Sequence, residues 1–253
     1  QGQYAGPVTN HIRGSDNADN LMIYRIYSDV NIVSTYEGDG THGGFVGVAD
    51  KSSMMSNICF AGSITSTATK NVGGIIGWCS KDTKMYNVLV VPTSISVAAG
   101  DNNIISRNPN KIIDKSNIYY LNNFGTSIPD WATQTTSEAV SGGALAYTFN
   151  GNQSVTVNWT QTLGTDPIPM PLLTHKKVYW DGTAYSNIVS DLYMRCQSNS
   201  WAGIKMDVIP DTDEDTRHFR LNQYVRSNRI DGTIFNFATA AGKSGADCWG
   251  PSN

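Results

Sequence analysis

The sequence predicts an all-β protein: a parallel β-helix, or solenoid, closed by a short capping helix and followed by a small C-terminal β module. Three observations carry this. The pentad Gly43-Gly44-Phe45-Val46-Gly47 returns thirty residues later as Gly73-Gly74-Ile75-Ile76-Gly77, and self-similarity at such a period marks a repeat architecture. A second line, Ser56-Asn57-Ile58-Cys59-Phe60, falls over Tyr86-Asn87-Val88-Leu89-Val90 and then over Ser116-Asn117-Ile118-Tyr119-Tyr120, at the same step. Between these lines lie Ser, Thr, Asn, Gly and short β-branched runs without a sustained helical period, which favours strands. The sequence has neither a Leu-x-x-Leu-x-Leu line nor paired amphipathic helices, so leucine-rich and helical repeats do not fit.

Taken in order, the first rung is expected at Ser28-Asp29-Val30-Asn31-Ile32, which fits the second line at a step of twenty-eight. Equivalent inward residues then stack at about 4.8 Å per rung. The apolar columns read Val30, Ile58, Val88 and Ile118, with Phe45 over Ile75 and Val46 over Ile76. The paired glycines suit a corner that needs positive φ or a close backbone approach. A polar column of Asp29, Asn57, Asn87 and Asn117 is expected to serve turns and side-chain ladders rather than a ligand. Asn102-Asn103-Ile104-Ile105-Ser106 stands where a third glycine pentad would fall, as terminal repeats are often atypical.

The repeats are assigned to residues 1–128 and a closing segment to 129–189. There Ser137 is a candidate N-cap for a helix from Glu138 to Phe149 that would cover the open end of the coil. Val178-Tyr179-Trp180 followed by Asp181-Gly182 reads as a strand and tight turn. Residues 190–253 carry no repeat line. Strand-like runs at Gly203 to Ile209, Phe219 to Val225 and Thr233 to Phe237 suggest a small antiparallel module.

The unit Gly-Gly-Phe-Val-Gly, Ser-Asn-Ile-Cys-Phe-Ala-Gly-Ser-Ile and Val-Gly-Gly-Ile-Ile-Gly, over residues near 24 to 124, resembles the GLUG repeat of bacterial surface and adhesin-like proteins. A second stretch, Ser141-Gly142-Gly143-Ala144-Leu145-Ala146-Tyr147-Thr148-Phe149-Asn150-Gly151 with Trp159-Thr160-Gln161-Thr162-Leu163-Gly164-Thr165-Asp166-Pro167-Ile168-Pro169, resembles the segment that often closes such repeats in Bacteroidetes cell-surface proteins. Thr160 departs from the usual pattern. The resemblance implies a right-handed coil in an exported protein and implies no catalytic residues.

Composition narrows the function. A net charge of −3 with only 15% charged residues gives no basic stripe for nucleic acid. No apolar run approaches the length of a transmembrane helix. Starting at Gln1 without an initiator Met, the sequence is expected to have lost its beginning, and any signal peptide or lipoprotein cysteine with it. The four cysteines, at 59, 79, 196 and 248, lack zinc-ligand spacing. Cys59 and Cys79 fall on core lines, whereas Cys196 and Cys248 are a candidate disulfide. No metal or cofactor is expected.

Catalytic groups are expected to be none. Carboxylates inside the repeats (Glu37, Asp39, Asp50 and Asp82) do not recur at one column. Asp211-Thr212-Asp213-Glu214-Asp215 imitates a calcium loop, but Thr216 and Asn222 replace its glycine and glutamate. His11, His42, His175 and His218 are isolated and match no catalytic motif. Six Trp and twelve Tyr, mostly outside the best repeats, offer faces that stack on sugar rings. Core packing is the commoner use of such residues. If a shelf exists, Tyr179, Trp180 and Trp201 are its candidates. The expected function is a non-catalytic, extracellular cell-surface scaffold, adhesive or glycan-binding. Its partners would be a polysaccharide, a surface glycoprotein or other envelope proteins. The rival is a carbohydrate-active enzyme with carboxylates, including Asp231, in the last module.

Overall fold

The computed structural model describes residues 3–14, 21–36, 38, 40–67, 72–97, 102–154, 156–188, 192–196, 203–209, 218–221, 235–238 and 248–249. The chain divides into two compact units, Gln1–Ser137 and Glu138–Asn253. Residues 129–137, expected in the closing segment, therefore belong with the repeats.

In the first unit each repeat supplies four strands. The first gives β1 (Tyr4–Ala5), β2 (Thr9–Ile12), β3 (Leu21–Ser28) and β4 (Asn31–Ser34). The second gives β5 (Thr41–Gly43), β6 (Val46–Ala49), β7 (Ser53–Phe60) and β8 (Ser63–Ser66). The third gives β9 (Val72–Gly73), β10 (Ile76–Cys79), β11 (Thr83–Val90) and β12 (Ser94–Val97). A partial fourth keeps bridges at Asn103 and Ser106 and the long β13 (Ile112–Tyr120), and β14 (Thr133–Gln134) pairs in parallel beyond β13 as the start of a fifth. Equivalent strands pair in parallel, giving sheets ordered β1-β5-β9, β10-β6-β2, β14-β13-β11-β7-β3 and β12-β8-β4. The all-β class and its parallel character agree with the sequence.

The register confirms most columns and corrects one. Val88 pairs with Ile58 on one side and Ile118 on the other, and Val46 pairs with Ile76. The first repeat, however, brings Ile26 against Ile58, and Val30 is 45% exposed. Eight residues (35–42) join Ser34 to Gly43 whereas six (67–72) join Ser66 to Gly73. The longer connection shifts the first long strand to a step of thirty-two, and Arg25 rather than Asp29 heads the polar column.

That column has a backbone cause. Arg25, Asn57, Asn87 and Asn117 all sit at φ between 52° and 54°, a left-handed region that any Cβ resists and Asn tolerates best. Such a bulged residue breaks the strict alternation of a strand. Met55 and Ile58, three residues apart, therefore both join the core, as do Met85 and Val88. The glycine pentads answer the other need named above, close approach. A Cβ on Gly43 would lie 2.1 Å from the Val46 carbonyl oxygen, and one on Gly44 would lie 2.2 Å from that of Gly74. Around this corner Phe45, Ile75 and Ile104 are fully buried, each contributing roughly 1.5–3 kcal/mol. Phe124, Trp131 and Ala132 pack against that core.

In the second unit the expected single helix is two, α1 (Ser137–Ser141) and α2 (Ala144–Phe149). Gly143, at φ 91°, breaks it. The buried side of α2 puts Ala146 and Tyr147 on Val178, with Leu163, Trp180 and Tyr185 around them. The expected strand and turn at 178–182 is a hairpin, β15 (Tyr179–Trp180) against β16 (Tyr185–Ser186). Strands β17 (Tyr193–Cys196), β18 (Ile204–Lys205), β21 (Phe235–Ala238) and β22 (Cys248–Trp249) form an antiparallel sheet ordered β18-β17-β21-β22. A separate antiparallel pair joins β19 (Asp207–Ile209) and β20 (His218–Arg220).

Candidate functional site

Of the three aromatic shelf candidates, Tyr179 and Trp180 lie among the described residues. Tyr179 and Trp180 are neighbours on a two-residue strand, so they point to opposite faces. Trp180 packs on Tyr185 with ring centroids 4.5 Å apart and borders the core of its unit. Burial raises the Tyr179 phenol above its ordinary pKa. Trp201 lies outside the described residues, as do Asp211, Asp213 and Asp231. Cys196 and Cys248 lie on β17 and β22, on either side of β21, and their side chains lie outside the described residues.

The Trp159-to-Pro169 stretch proves to be wiring. Buried Gln161 donates through Nε2 to the carbonyls of Val140, Ser141 and Asp166. Asn187 Nδ2 donates to Gln161 and Lys177 carbonyls, while its Oδ1 accepts from Leu163 N–H at 2.6 Å. Asp166 accepts from Thr162 N–H and faces His175 Nδ1 at 2.8 Å. These side chains hold loops together, which accounts for their spacing without a ligand.

The exposed chemistry of the first unit lies in two places. On the outer face of the long sheet, register lines up Met22, Met54, Lys84 and Asp114 in one row and Tyr24, Ser56, Tyr86 and Ser116 in the next. Tyr86 donates its hydroxyl to Asp114 at 2.6 Å, which raises the phenol pKa. Successive members of a row stand one inter-strand spacing apart, about 4.8 Å, so Tyr24 and Tyr86 are two spacings apart.

The second place is the edge of β2. His11 Nε2 bonds Asp50 Oδ2, Ser80 donates to Asp50 Oδ1, and Arg13 Nε donates to His11 at 3.0 Å. Partial burial pushes the Asp50 carboxyl up, but the hydrogen bonds from Ser80 and His11 outweigh it and hold the pKa below the usual range. Ser80 bonds the carboxylate rather than the imidazole, so the trio lacks the relay of a Ser-His-Asp triad. Beside it, Arg107 lies 4.6 Å from the Trp78 ring centre. An open cleft of about 610 Å³ runs along Thr9, His11, Arg13, Leu21, Met22 and Tyr24. Among the described residues no group of three or more His, Cys, Asp or Glu could hold a metal ion. Among the same residues no helix is long and apolar enough to cross a membrane.

Sequence reasoning missed this network, although Asp50 and Ser80 stand at the thirty-residue step already read for the pentads. It also missed the Tyr24 and Tyr86 row, because the first repeat was aligned four residues off. Comparison with known proteins returned no matching family model, no matching curated protein and no matching solved structure.

Proposed function

We propose that the first unit is a right-handed parallel β-helix serving as a non-catalytic display and recognition scaffold on the outside of a bacterial cell. The observation that carries it is the in-register pairing of equivalent strands at steps near thirty residues. Crossovers between parallel strands are right-handed in about 98% of cases, which supports the handedness. The GLUG-like pentads support export and surface attachment.

Recognition in this reading occurs on the outer face of the long sheet, where a linear neutral polysaccharide lies across the rows. Tyr24 and Tyr86 stack on sugar faces, and Ser56 and Ser116 offer hydroxyls between them. Many weak contacts along a stiff face suit a repeating polymer.

A glycan array probed with the full chain tests this. A polysaccharide hit lost in Tyr86→Ala but kept in Tyr179→Ala is the expected result. Silence across plant, host and microbial glycans, or a hit unaffected by Tyr86→Ala, overturns the recognition face. Release of sugars from a bound polymer would overturn the non-catalytic assignment.

A further inference from the structure

Lys51, Lys81 and Lys111 follow one another at the thirty-residue step of the repeats. Each stands at the corner that leads into a long strand. Ala49 pairs with Cys79 before the corner and Ser53 with Thr83 after it. The turns 50–52 and 80–82 are thus equal in length and stack, with Lys51 over Lys81 at a backbone step of about 4.8 Å. The Ser80 N–H donates to the Ala49 carbonyl across this stack at 3.0 Å. In the next repeat Lys111 precedes Ile112, which pairs with Thr83, and Lys111 Nζ lies 3.5 Å from Asp82.

The fold does not ask for lysine at these corners. The recurring glycines and asparagines answer a steric need, but none of the three lysines sits at positive φ, and all are partly exposed. Like charges stacked on neighbouring strands repel, so the column lowers stability unless something of opposite charge uses it. Arg107 adds to it. Its neighbour Ser106 bridges to Ile76, and its guanidinium lies over the ring of Trp78, just before the corner. The carboxylates of these turns are Asp50, held by His11 and Ser80, and Asp82, whose exposed pair with Lys111 contributes little. Four cations against two carboxylates make a positive ridge in a chain whose net charge is −3.

We propose that this lysine ridge binds an acidic linear polysaccharide, a polyuronate, lying along the stacking direction of the repeats. Such a polymer carries one carboxylate per sugar, and a pyranose is about as long as the inter-strand step of about 4.8 Å. Successive carboxylates therefore meet Lys51, Lys81 and Lys111 in turn. Arg107, held on the Trp78 ring, meets a further one. Lysine suits the task because its compact ammonium serves single carboxylates without demanding a planar, two-pronged partner. A duplex nucleic-acid strand, with a phosphate about every 3.4 Å, is out of step with the ridge. Many weak charge contacts add along the chain of sugars. The ridge uses none of Tyr24, Ser56, Tyr86 and Ser116, so this site and the face assigned to neutral glycan can each fail alone.

The test titrates the full chain calorimetrically with polygalacturonate, with its fully methyl-esterified form and with polyphosphate. Polygalacturonate is expected to bind, less tightly as salt rises, and the ester, which keeps the sugar backbone without its charge, is expected not to. Lys81→Gln should weaken binding about threefold, the contribution of one exposed charge pair, and Lys51→Gln, Lys81→Gln and Lys111→Gln together about thirtyfold. Lys51→Arg, Lys81→Arg and Lys111→Arg together should keep it, since they preserve the charge. Tyr86→Ala should leave it unchanged, as should Lys177→Gln at an exposed position of the other unit. Equal binding of the methyl ester overturns the proposal. So does polyphosphate binding as tight as polygalacturonate, or wild-type affinity in the triple Gln variant.

Discussion

The side-chain amide of Asn87 donates to the side-chain carbonyl of Asn57, 3.2 Å away, across a thirty-residue separation in sequence. Both residues carry positive φ, 52° and 53°. The pair thus combines a strained backbone with a hydrogen bond that only Asn supplies at that conformation. Asn87→Ala removes bonds to Asn57 and Asn117 and leaves a Cβ residue in the left-handed region. The expected loss is about 3–4 kcal/mol, from roughly 1 kcal/mol for each of the two hydrogen bonds and about 1–2 kcal/mol of strain. Asn87→Gly relieves the strain and should lose less. Urea unfolding midpoints of the two variants check the order.

The glycines of the pentad make a contrasting case. Gly44 has no positive φ, yet a Cβ there would lie 2.2 Å from the Gly74 carbonyl oxygen and 2.5 Å from the Phe60 ring. Gly125 has open space but φ of 79°. Gly44→Ala should therefore cost more than about 3 kcal/mol by forcing apart packed backbones. Gly125→Ala should cost only about 1–2 kcal/mol of strain. Thermal unfolding that ranks Gly125→Ala as the more damaging would sink the close-approach account of the pentad.

The fold was legible where a residue's role repeats. Gly43, Gly73, Asn57 and Asn87 recur because each repeat meets the same steric problem, and their period announced parallel stacking. The first repeat was misread because Asp29-Val30 mimics an Asn-Ile pair in residue type, whereas Arg25-Ile26 fills the geometry. A two-residue longer connection moved the true register where residue type gave no warning. The candidate sites were less legible. His11, Asp50 and Ser80 are unremarkable singly and meet only when three repeats stack. Tyr179-Trp180 looked like a shelf because sequence adjacency hides the fact that neighbours on a strand face opposite ways.

His42 gives the chain a pH dependence. It is fully buried between Ala5 and Val72, and neither ring nitrogen makes a hydrogen bond. Burial lowers its pKa, with the Thr41 backbone acting in the opposite direction. The strands packed around it, β1, β6, β9 and β10, contribute Tyr4 and Cys79 as ionisable groups and no carboxylate. The unfolded chain takes up the proton near pH 6.5, while the folded one resists it until lower pH. Stability from this group is thus full above the unfolded pKa, falls as pH drops through it, and levels off below the folded pKa. Unfolding midpoints from pH 7.5 to 5 should decline more steeply in the wild type than in His42→Leu. Parallel curves would show that His42 is not the titrating group.

Gln161 tests whether the stretch following the repeats is structural. Its Nε2 serves three carbonyls, of Val140, Ser141 and Asp166, and tethers the end of α1 to the loop before Pro167. Gln161→Glu keeps the size but has no donor when ionised, so three acceptors would face a buried carboxylate. Burial would drive that carboxyl toward its protonated form. Each unsatisfied buried acceptor costs about 1–3 kcal/mol, so the variant should unfold at clearly lower denaturant than the wild type and recover part of the loss in acid. Gln161→Leu removes the donor without adding charge and should show no such recovery. A Gln161→Glu chain as stable as the wild type at neutral pH would mean that these hydrogen bonds do not hold the loop.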